Sequence, residues 1–233
     1  MAVSCDALQV YRGLGALTGA ATEPDRERLE HRLLGIADVT EEFSAGRFAD
    51  LARSEIDSLL EGGKRPIVVG GTGLYMRAAL SEMELHPPVR VEIRDEVERE
   101  IAERGPRALH AELDPELAEG VHPNDRKRIA RLTELERAGL HPPPTGVGDL
   151  WTAQLRHPTL LLGIVIDRDD LTRRIDARVD EMVAAGAADE ARRADAAGAS
   201  RTVRAAIGFE ELLDGDVGAM KRAQRAYARR QLT

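Results

Sequence analysis

Three short apolar runs interrupt a chain that otherwise reads as helix. The first is Ala2-Val3-Ser4. The second is Pro66-Ile67-Val68-Val69, stopped by Gly70-Gly71, and the third runs from Leu160 to Ile166, stopped by Asp167. The second and third lack polar alternation, as expected of strands covered by helices on both faces. Elsewhere the apolar positions recur at helical spacing. Phe48, Leu51, Ile56, Leu59 and Leu60 share a face ahead of Gly62-Gly63, and Ile175, Val179, Met182 and Val183 share one ahead of Gly186. Strands alternating with helices predict an α/β fold on a parallel sheet. From Val89 to Leu140 the pattern is helical, charged and free of strand signals, and it closes on His141-Pro142-Pro143-Pro144, which reads as a linker. The expected organisation is an α/β core of residues 1–88 and 145–233 with a helical insert at 89–144. The first strand signal lies against Met1, and the basic C-terminal segment stops without a cap, so both ends read as cut.

Composition narrows the class. With 233 residues, 42% hydrophobic and 32% charged, the chain suits one large domain or a core with an insert. No run approaches the roughly 18 apolar residues of a membrane span, so no membrane role is expected. Cys5 is the one cysteine, which excludes an internal disulfide, and no signal peptide is read. A reducing cytoplasm is the expected setting. Aromatic residues are 3%, against a base-stacking platform, and the net charge of −8 argues against nucleic acid only if charge is spread evenly. It is not. Lys221, Arg222, Arg225, Arg229 and Arg230 fall in a stretch with no acid between Ala219 and Thr233.

Four segments could carry chemistry. Asp6 and Gln9 follow the first strand, at the sheet edge where open α/β folds bind ligands. Asp6 can take a proton and the Gln9 amide can bond a base edge, or the two can simply cap a helix. Gly70-Gly71-Thr72-Gly73 follows the second strand. Its backbone N–H groups can approach a phosphate, or it can be only a turn. His122-Pro123-Asn124-Asp125 precedes Arg126, Lys127, Arg128 and Arg131, cations at a helix start where the macrodipole disfavours them; phosphate contact or a solvated face explains them. Arg168, just past the third run, suits a diphosphate, while Arg173, Arg174 and Arg178 can pair with Asp169, Asp170 and Asp176. Cys5 reads as a packed small residue rather than a nucleophile.

In register, these pieces resemble the tRNA dimethylallyltransferase family, also called tRNA isopentenyltransferases. Ser4-Cys5-Asp6-Ala7-Leu8-Gln9-Val10-Tyr11-Arg12-Gly13 is similar to the family's Asp-Ser-x-Gln-Val-Tyr motif. Gly70 to Tyr75, His122 to Arg128, Arg174 to Val179, Ala206 to Leu212 and Tyr227 to Thr233 match five further family segments in order. The resemblance implies a P-loop-NTPase-like parallel sheet flanked by helices, with a helical insert that binds the tRNA anticodon stem-loop. It implies transfer of a dimethylallyl group from dimethylallyl diphosphate to N6 of the adenine at position 37, in tRNAs reading codons that begin with U. On that resemblance Asp6 is the general base, Gln9 holds the extruded adenine, Thr72 sits at the reacting centre, and Gly70, Gly71, Thr72 and Arg168 bind the diphosphate. Asp6, Ala7, Leu8, Gln9, Thr72, Arg94, Lys127, Arg128, Ile129, Ala130 and Arg131 face tRNA. Mg²⁺ bridges the diphosphate oxygens, and a monomer is expected.

The chain also departs from the family. The P-loop with its Gly-Lys-Ser/Thr, on the first strand, is absent from the 233 residues. Gly15 to Thr22 lacks the Lys of the family's Gly-Thr-Ala-Lys-Pro, and His31-Arg32-Leu33 stands for His-His-Leu. Little or no activity of this chain alone is therefore expected. Two rival readings are an adenylate isopentenyltransferase acting on free nucleotide, which the basic insert disfavours, and a non-catalytic RNA-binding remnant.

Overall fold

The computed structural model describes residues 1–83, 85, 88–140 and 154–231, arranged in two compact units. One unit joins Met1–Ser81 to Leu155–Thr233, and the other is Glu82–Gln154. The linker expected at His141 to Pro144 lies outside the described residues.

The first unit holds a three-stranded parallel sheet of β1 (Ala2–Ser4), β2 (His31–Arg32) and β3 (Ile67–Val69), in the order β2-β1-β3. Ala2 pairs with His31 on one side and Ile67 on the other, and Ser4 pairs with Val69. All three residues of β1 are buried, as a central strand requires. β3 is an edge, and the cover expected over both its faces is incomplete: Ile67 and Val69 are 55% and 54% exposed.

The third apolar run does not form a strand. Leu160 to Ile166 has no regular structure, and Leu160, Leu161, Leu162, Ile164 and Val165 are between 64% and 90% exposed. Strand stability is not local: each residue needs a neighbour's N–H and C=O. Among the described residues β3 ends the sheet, and no strand lies beyond it to pair with this run.

The helices of this unit are α1 (Gly15–Thr18), α2 (Glu23–Arg28), α3 (Ala45–Glu61), α4 (Gly73–Leu80) and, in its C-terminal half, five more. Ser44 Oγ accepts from the Arg47 N–H at 3.2 Å to start α3, and Gly62 ends it. The buried stripe of α3 is Phe48, Ala49, Ala52, Ile56 and Leu59. Leu51 and Leu60, expected on this face, are instead exposed. Phe48 stacks on Tyr75 of α4, with centroids 4.4 Å apart and planes at 27°. Offset stacking of this kind adds about 0.5–1.5 kcal/mol beyond area burial.

The last five helices in the chain's numbering, after four in the second unit, are α9 (Arg168–Ala184), α10 (Ala187–Ala196), α11 (Arg201–Arg204), α12 (Phe209–Leu213) and α13 (Val217–Gln231). Val179, Met182, Ala187, Ala191, Val203, Phe209 and Met220 join Val3, Cys5, Val10, Leu14 and Leu17 in one core. Where the chain returns to this unit, Arg156 makes a two-pronged bond to Asp57 of α3, at 2.8 and 3.3 Å, and His157 Nε2 lies 2.8 Å from the same carboxylate. These partners, Arg156 first, lower the Asp57 pKa.

The second unit contains α5 (Val91–Arg104), α6 (Pro106–Glu112), α7 (Pro115–Ala118) and α8 (Arg126–Arg137). Its own core is Val97, Ile101, Leu109, Leu113, Val121, Ile129, Ala130 and Leu132. Asp125 caps α8, its Oδ1 accepting from the Arg128 N–H at 3.1 Å. Among the described residues of the chain, no helix is long and apolar enough to cross a membrane.

Candidate active site

The carboxyl ends of β1 and β3 lie side by side. Their pairing continues past the strands, with the Cys5 N–H donating to the Val69 carbonyl at 2.7 Å. Gly70 then passes directly over β1. A Cβ built there lies 2.8 Å from the Cys5 carbonyl oxygen and 2.9 Å from its carbon, so only glycine fits without a shift of the backbone. Cys5 itself is fully buried, and burial, reinforced by the charge of Asp6, pushes its thiol up to about 12. It is the packed residue expected.

Asp6 opens the turn that follows β1. Its Oδ1 accepts from the N–H groups of Leu8 at 2.8 Å and Gln9 at 3.3 Å. The bond pattern is that of an Asx turn, because no helix begins until Gly15. The helix-capping alternative for Asp6 and Gln9 therefore does not form. Gln9 turns its amide elsewhere: Oε1 accepts from the Ser4 hydroxyl at 3.0 Å, and Nε2 donates to the Thr18 carbonyl at 3.4 Å. One Asp6 oxygen, Oδ2, takes no hydrogen bond among the described residues. Asp6, Ala7, Leu8 and Gln9 are all half-buried.

The glycine turn leads into α4. Thr72 is its N-cap residue, yet its hydroxyl makes no capping bond. Gly70, Gly71 and Gly73 are exposed, so their backbone faces solvent at the sheet edge. Behind them, Tyr75 is buried and its hydroxyl donates to the Phe43 carbonyl at 3.3 Å. Burial first, then the neighbouring Tyr11 and Asp6, raise the Tyr75 phenol to about 12. The approach of Gly70 to Cys5 places the two turns in one neighbourhood.

Arg168 is not placed as expected. It does not follow a strand but opens α9, capped by Asp167, whose Oδ1 accepts from the N–H groups of Asp169 at 2.9 Å and Asp170 at 3.2 Å. Those bonds lower the Asp167 pKa. Arg173 and Arg174 both pair with Asp170, as the spacing predicts. Asp176 departs from it, binding Arg225 of α13 at 2.6 and 2.8 Å, while Arg178 donates to the Gly19 carbonyl at 2.9 Å. Lys221 pairs with Asp180. Pairs 225–176 and 221–180 fix an antiparallel register of α13 on α9. That register sets Gln231 level with the first turn of α9. Gln231 Nε2 donates in turn to the Gly71 carbonyl at 3.3 Å. So the C-terminal end of α13 rests on the glycine turn. The same helix spends Lys221 and Arg225 on acids of α9, which leaves the basic C-terminal segment less bare than its sequence suggests.

In the helical unit, Arg94 and Arg131 flank the buried carboxylate of Glu134, at 3.9 and 3.1 Å. Arg126 pairs with Glu98, and Arg128 lies 3.7 Å from Asp125. Lys127 is exposed and makes no ion pair among the described residues. Ile129 and Ala130 face the core of the unit, so the cations at the start of this helix, Arg126, Lys127, Arg128 and Arg131, are what it offers to an external ligand. Sequence reasoning passed over Ser4 and Gln231 as site members. Both lie within motif segments, but their roles come from contacts made only on folding.

A parallel sheet with a carboxylate turn and a glycine turn at neighbouring strand ends, accompanied by a separate helical unit bearing cations, defines an α/β protein built to act at its carboxyl edge. Comparison with known proteins narrows this. The family model described as IPP transferase matches residues 9–233. A tRNA dimethylallyltransferase of Streptomyces griseus is 36% identical over 98% of this chain and 77% of that protein. The crystal structure of the full-length tRNA isopentenylpyrophosphate transferase from Bacillus halodurans superposes with a TM-score of 0.66 at 33% identity, covering 99% of this chain and 76% of that one. A eukaryotic dimethylallyltransferase acting on tRNA gives a TM-score of 0.75 at 26% identity, covering 99% of this chain and 62% of that one. The chain belongs to the IPP transferase family.

Proposed function

We propose that the chain is a tRNA dimethylallyltransferase, which joins a dimethylallyl group to N6 of adenine 37 beside the anticodon. The observation that carries this reading is the placement of Asp6 and Gly70–Thr72 at the ends of adjacent parallel strands. Asp6 Oδ2, free of turn bonds, takes a proton from the adenine amine. The N6–C bond forms at the terminal carbon of the dimethylallyl group as the C–O bond to diphosphate breaks. The electron pair leaves with the diphosphate and the proton stays on Asp6. Arg168 and the exposed amides of Gly70 and Gly71 offset the departing charge, and the Thr72 hydroxyl stands near the leaving oxygen. Gln9 holds the extruded adenine.

Magnesium accompanies diphosphates in such reactions. The described residues contain no group of three or more His, Cys, Asp or Glu that could form a cage. An ion arriving with the diphosphate would offset the leaving charge beside Gly70, Gly71 and Thr72, and no step above passes through it.

The finer architecture we read is a P-loop-NTPase-like sheet with a place for a further strand, which the 233 residues do not supply. Two features support this: the open edge of β3 and the exposed apolar run from Leu160 to Ile166, which are suited to flank a further strand. In the same reading the core is 1–88 with 145–233, and the insert at 89–144 meets the anticodon stem-loop through Arg94, Lys127, Arg128 and Arg131, on a monomer. A second reading is an RNA-binding protein without catalysis, favoured by Lys127, which is exposed and makes no ion pair among the described residues. Measuring binding of an anticodon stem-loop and of free adenylate across salt concentrations separates both from an enzyme acting on free adenylate. A tRNA enzyme or a non-catalytic RNA binder binds the stem-loop with a slope that falls by about 1 when Lys127 is replaced by Ala. Preference for free adenylate overturns the tRNA reading. Transfer by the 233-residue chain alone is expected to be slight, and full turnover contradicts the role given to the family's P-loop.

A further inference from the structure

Glu190 of α10 reaches across the fold to α1. Its Oε1 accepts from the Ala16 N–H at 3.1 Å and its Oε2 from the Leu17 N–H at 2.8 Å, across 174 and 173 residues of sequence. α1 is a single turn, from Gly15 to Thr18. Its N-cap residue, Leu14, offers no side-chain acceptor, and it has no acid in its first turn. The N–H groups a short helix leaves open are thus met by a carboxylate from a distant element. The last residue of that turn, Thr18, presents the carbonyl on which Gln9 Nε2 rests, while Ser4 holds Gln9 Oε1. The Thr18 carbonyl, which can only accept, defines which way the amide faces, since Nε2 and Oε1 exchange places on a flip and the Ser4 hydroxyl can bond either. The path from Glu190 to Gln9 is therefore a chain of hydrogen bonds through one helical turn.

We infer that Glu190 is a positioning residue for base recognition: by pinning α1, it fixes the Thr18 carbonyl and through it the orientation of the Gln9 amide. The inference rests on the reading of Gln9 as the adenine-holding residue. Removing the carboxylate frees α1 to shift, and Gln9 loses the acceptor that orients it, so adenine is no longer told from a purine with an oxygen in place of the amine.

The test uses the full chain and two anticodon stem-loops that differ only at the target base, adenosine or inosine. The readout is the ratio of the two Kd values. Loss of one oriented hydrogen bond is worth roughly tenfold, so the unmodified chain is expected to prefer adenosine by about that factor. Glu190→Ala is expected to bring the ratio close to one while leaving the Kd for the inosine RNA within about twofold, because phosphate contacts dominate that affinity. Glu190→Gln, which keeps one acceptor oxygen, is expected to fall between the two, and it carries the test if the alanine variant does not fold. Gln9→Ala also collapses the ratio, and adding Glu190→Ala to it changes nothing further, as coupled residues require. If Glu190→Ala or Glu190→Gln keeps the full preference, or if the Glu190 and Gln9 effects simply add, Glu190 is structural only and the inference is overturned. If the unmodified chain shows no preference, the role of Gln9 itself falls, and the inference falls with it.

Discussion

At the scale of single residues, two positions carry sharp expectations. Gly70 lies against the Cys5 carbonyl, where a methyl group has no room. Gly70→Ala is expected to cost about 1–3 kcal/mol, the range of overpacking, read as a lower denaturation midpoint; unchanged stability contradicts the crossing of the two turns. Cys5 is buried, with its thiol raised to about 12, and the thiolate is the form that reacts. Alkylation of native protein at pH 8 is expected to be slow and to keep pace with unfolding, and labelling at the rate of free cysteine contradicts its burial. Asp6, Gly70 and Thr72 were legible in the sequence because each sits just after a strand signal. Glu190 was not, since its partners are more than 170 residues away and nothing in its spacing marks them.

At the scale of elements, local pattern and long-range pairing part company. β1 and β3 form where short apolar runs stop, and Asp125, Asp167 and Ser44 start the helices they precede. These features depend on a few neighbouring residues, which is why the sequence displays them. The run from Leu160 to Ile166 has the same composition as a buried strand and remains exposed, because composition cannot supply a hydrogen-bonding neighbour. Ile164 is 88% exposed, so Ile164→Asp is expected to change stability by no more than about 0.5 kcal/mol. Chemical denaturation of the 233-residue chain checks this; a large loss shows that the run is packed. The stripe on α3 departs from the expected one in a smaller way. Ala49 and Ala52 take places in the core, while Leu51 and Leu60 stay outside, because a helix turns to fit the ring stack of Phe48 on Tyr75.

At the scale of the whole molecule, charge sets where stability is lost. Arg156 and His157 hold Asp57 below its ordinary value near 3.9. A carboxylate depressed in the folded state stabilises above its unfolded pKa, and that contribution disappears as pH falls through the folded value. Asp57→Asn is therefore expected to be less stable than the unmodified chain at neutral pH and to converge with it below about pH 4. Thermal melts across that range check it, and a gap that persists into acid contradicts the pairing. The division into a sheet unit and a helical unit follows the shift from apolar runs to charged helical spacing, and each unit has its own core.

The central claim is that Asp6 removes the proton from the adenine amine. It is tested most directly by joining a strand-loop unit carrying the family's Gly-Lys-Ser/Thr ahead of Met1 and following dimethylallyl transfer to an anticodon stem-loop by mass spectrometry. The account predicts transfer by this fusion, and a fall of roughly 10²–10⁴-fold in rate on Asp6→Asn with stem-loop binding kept. Equal rates for the fusion and its Asp6→Asn variant contradict it.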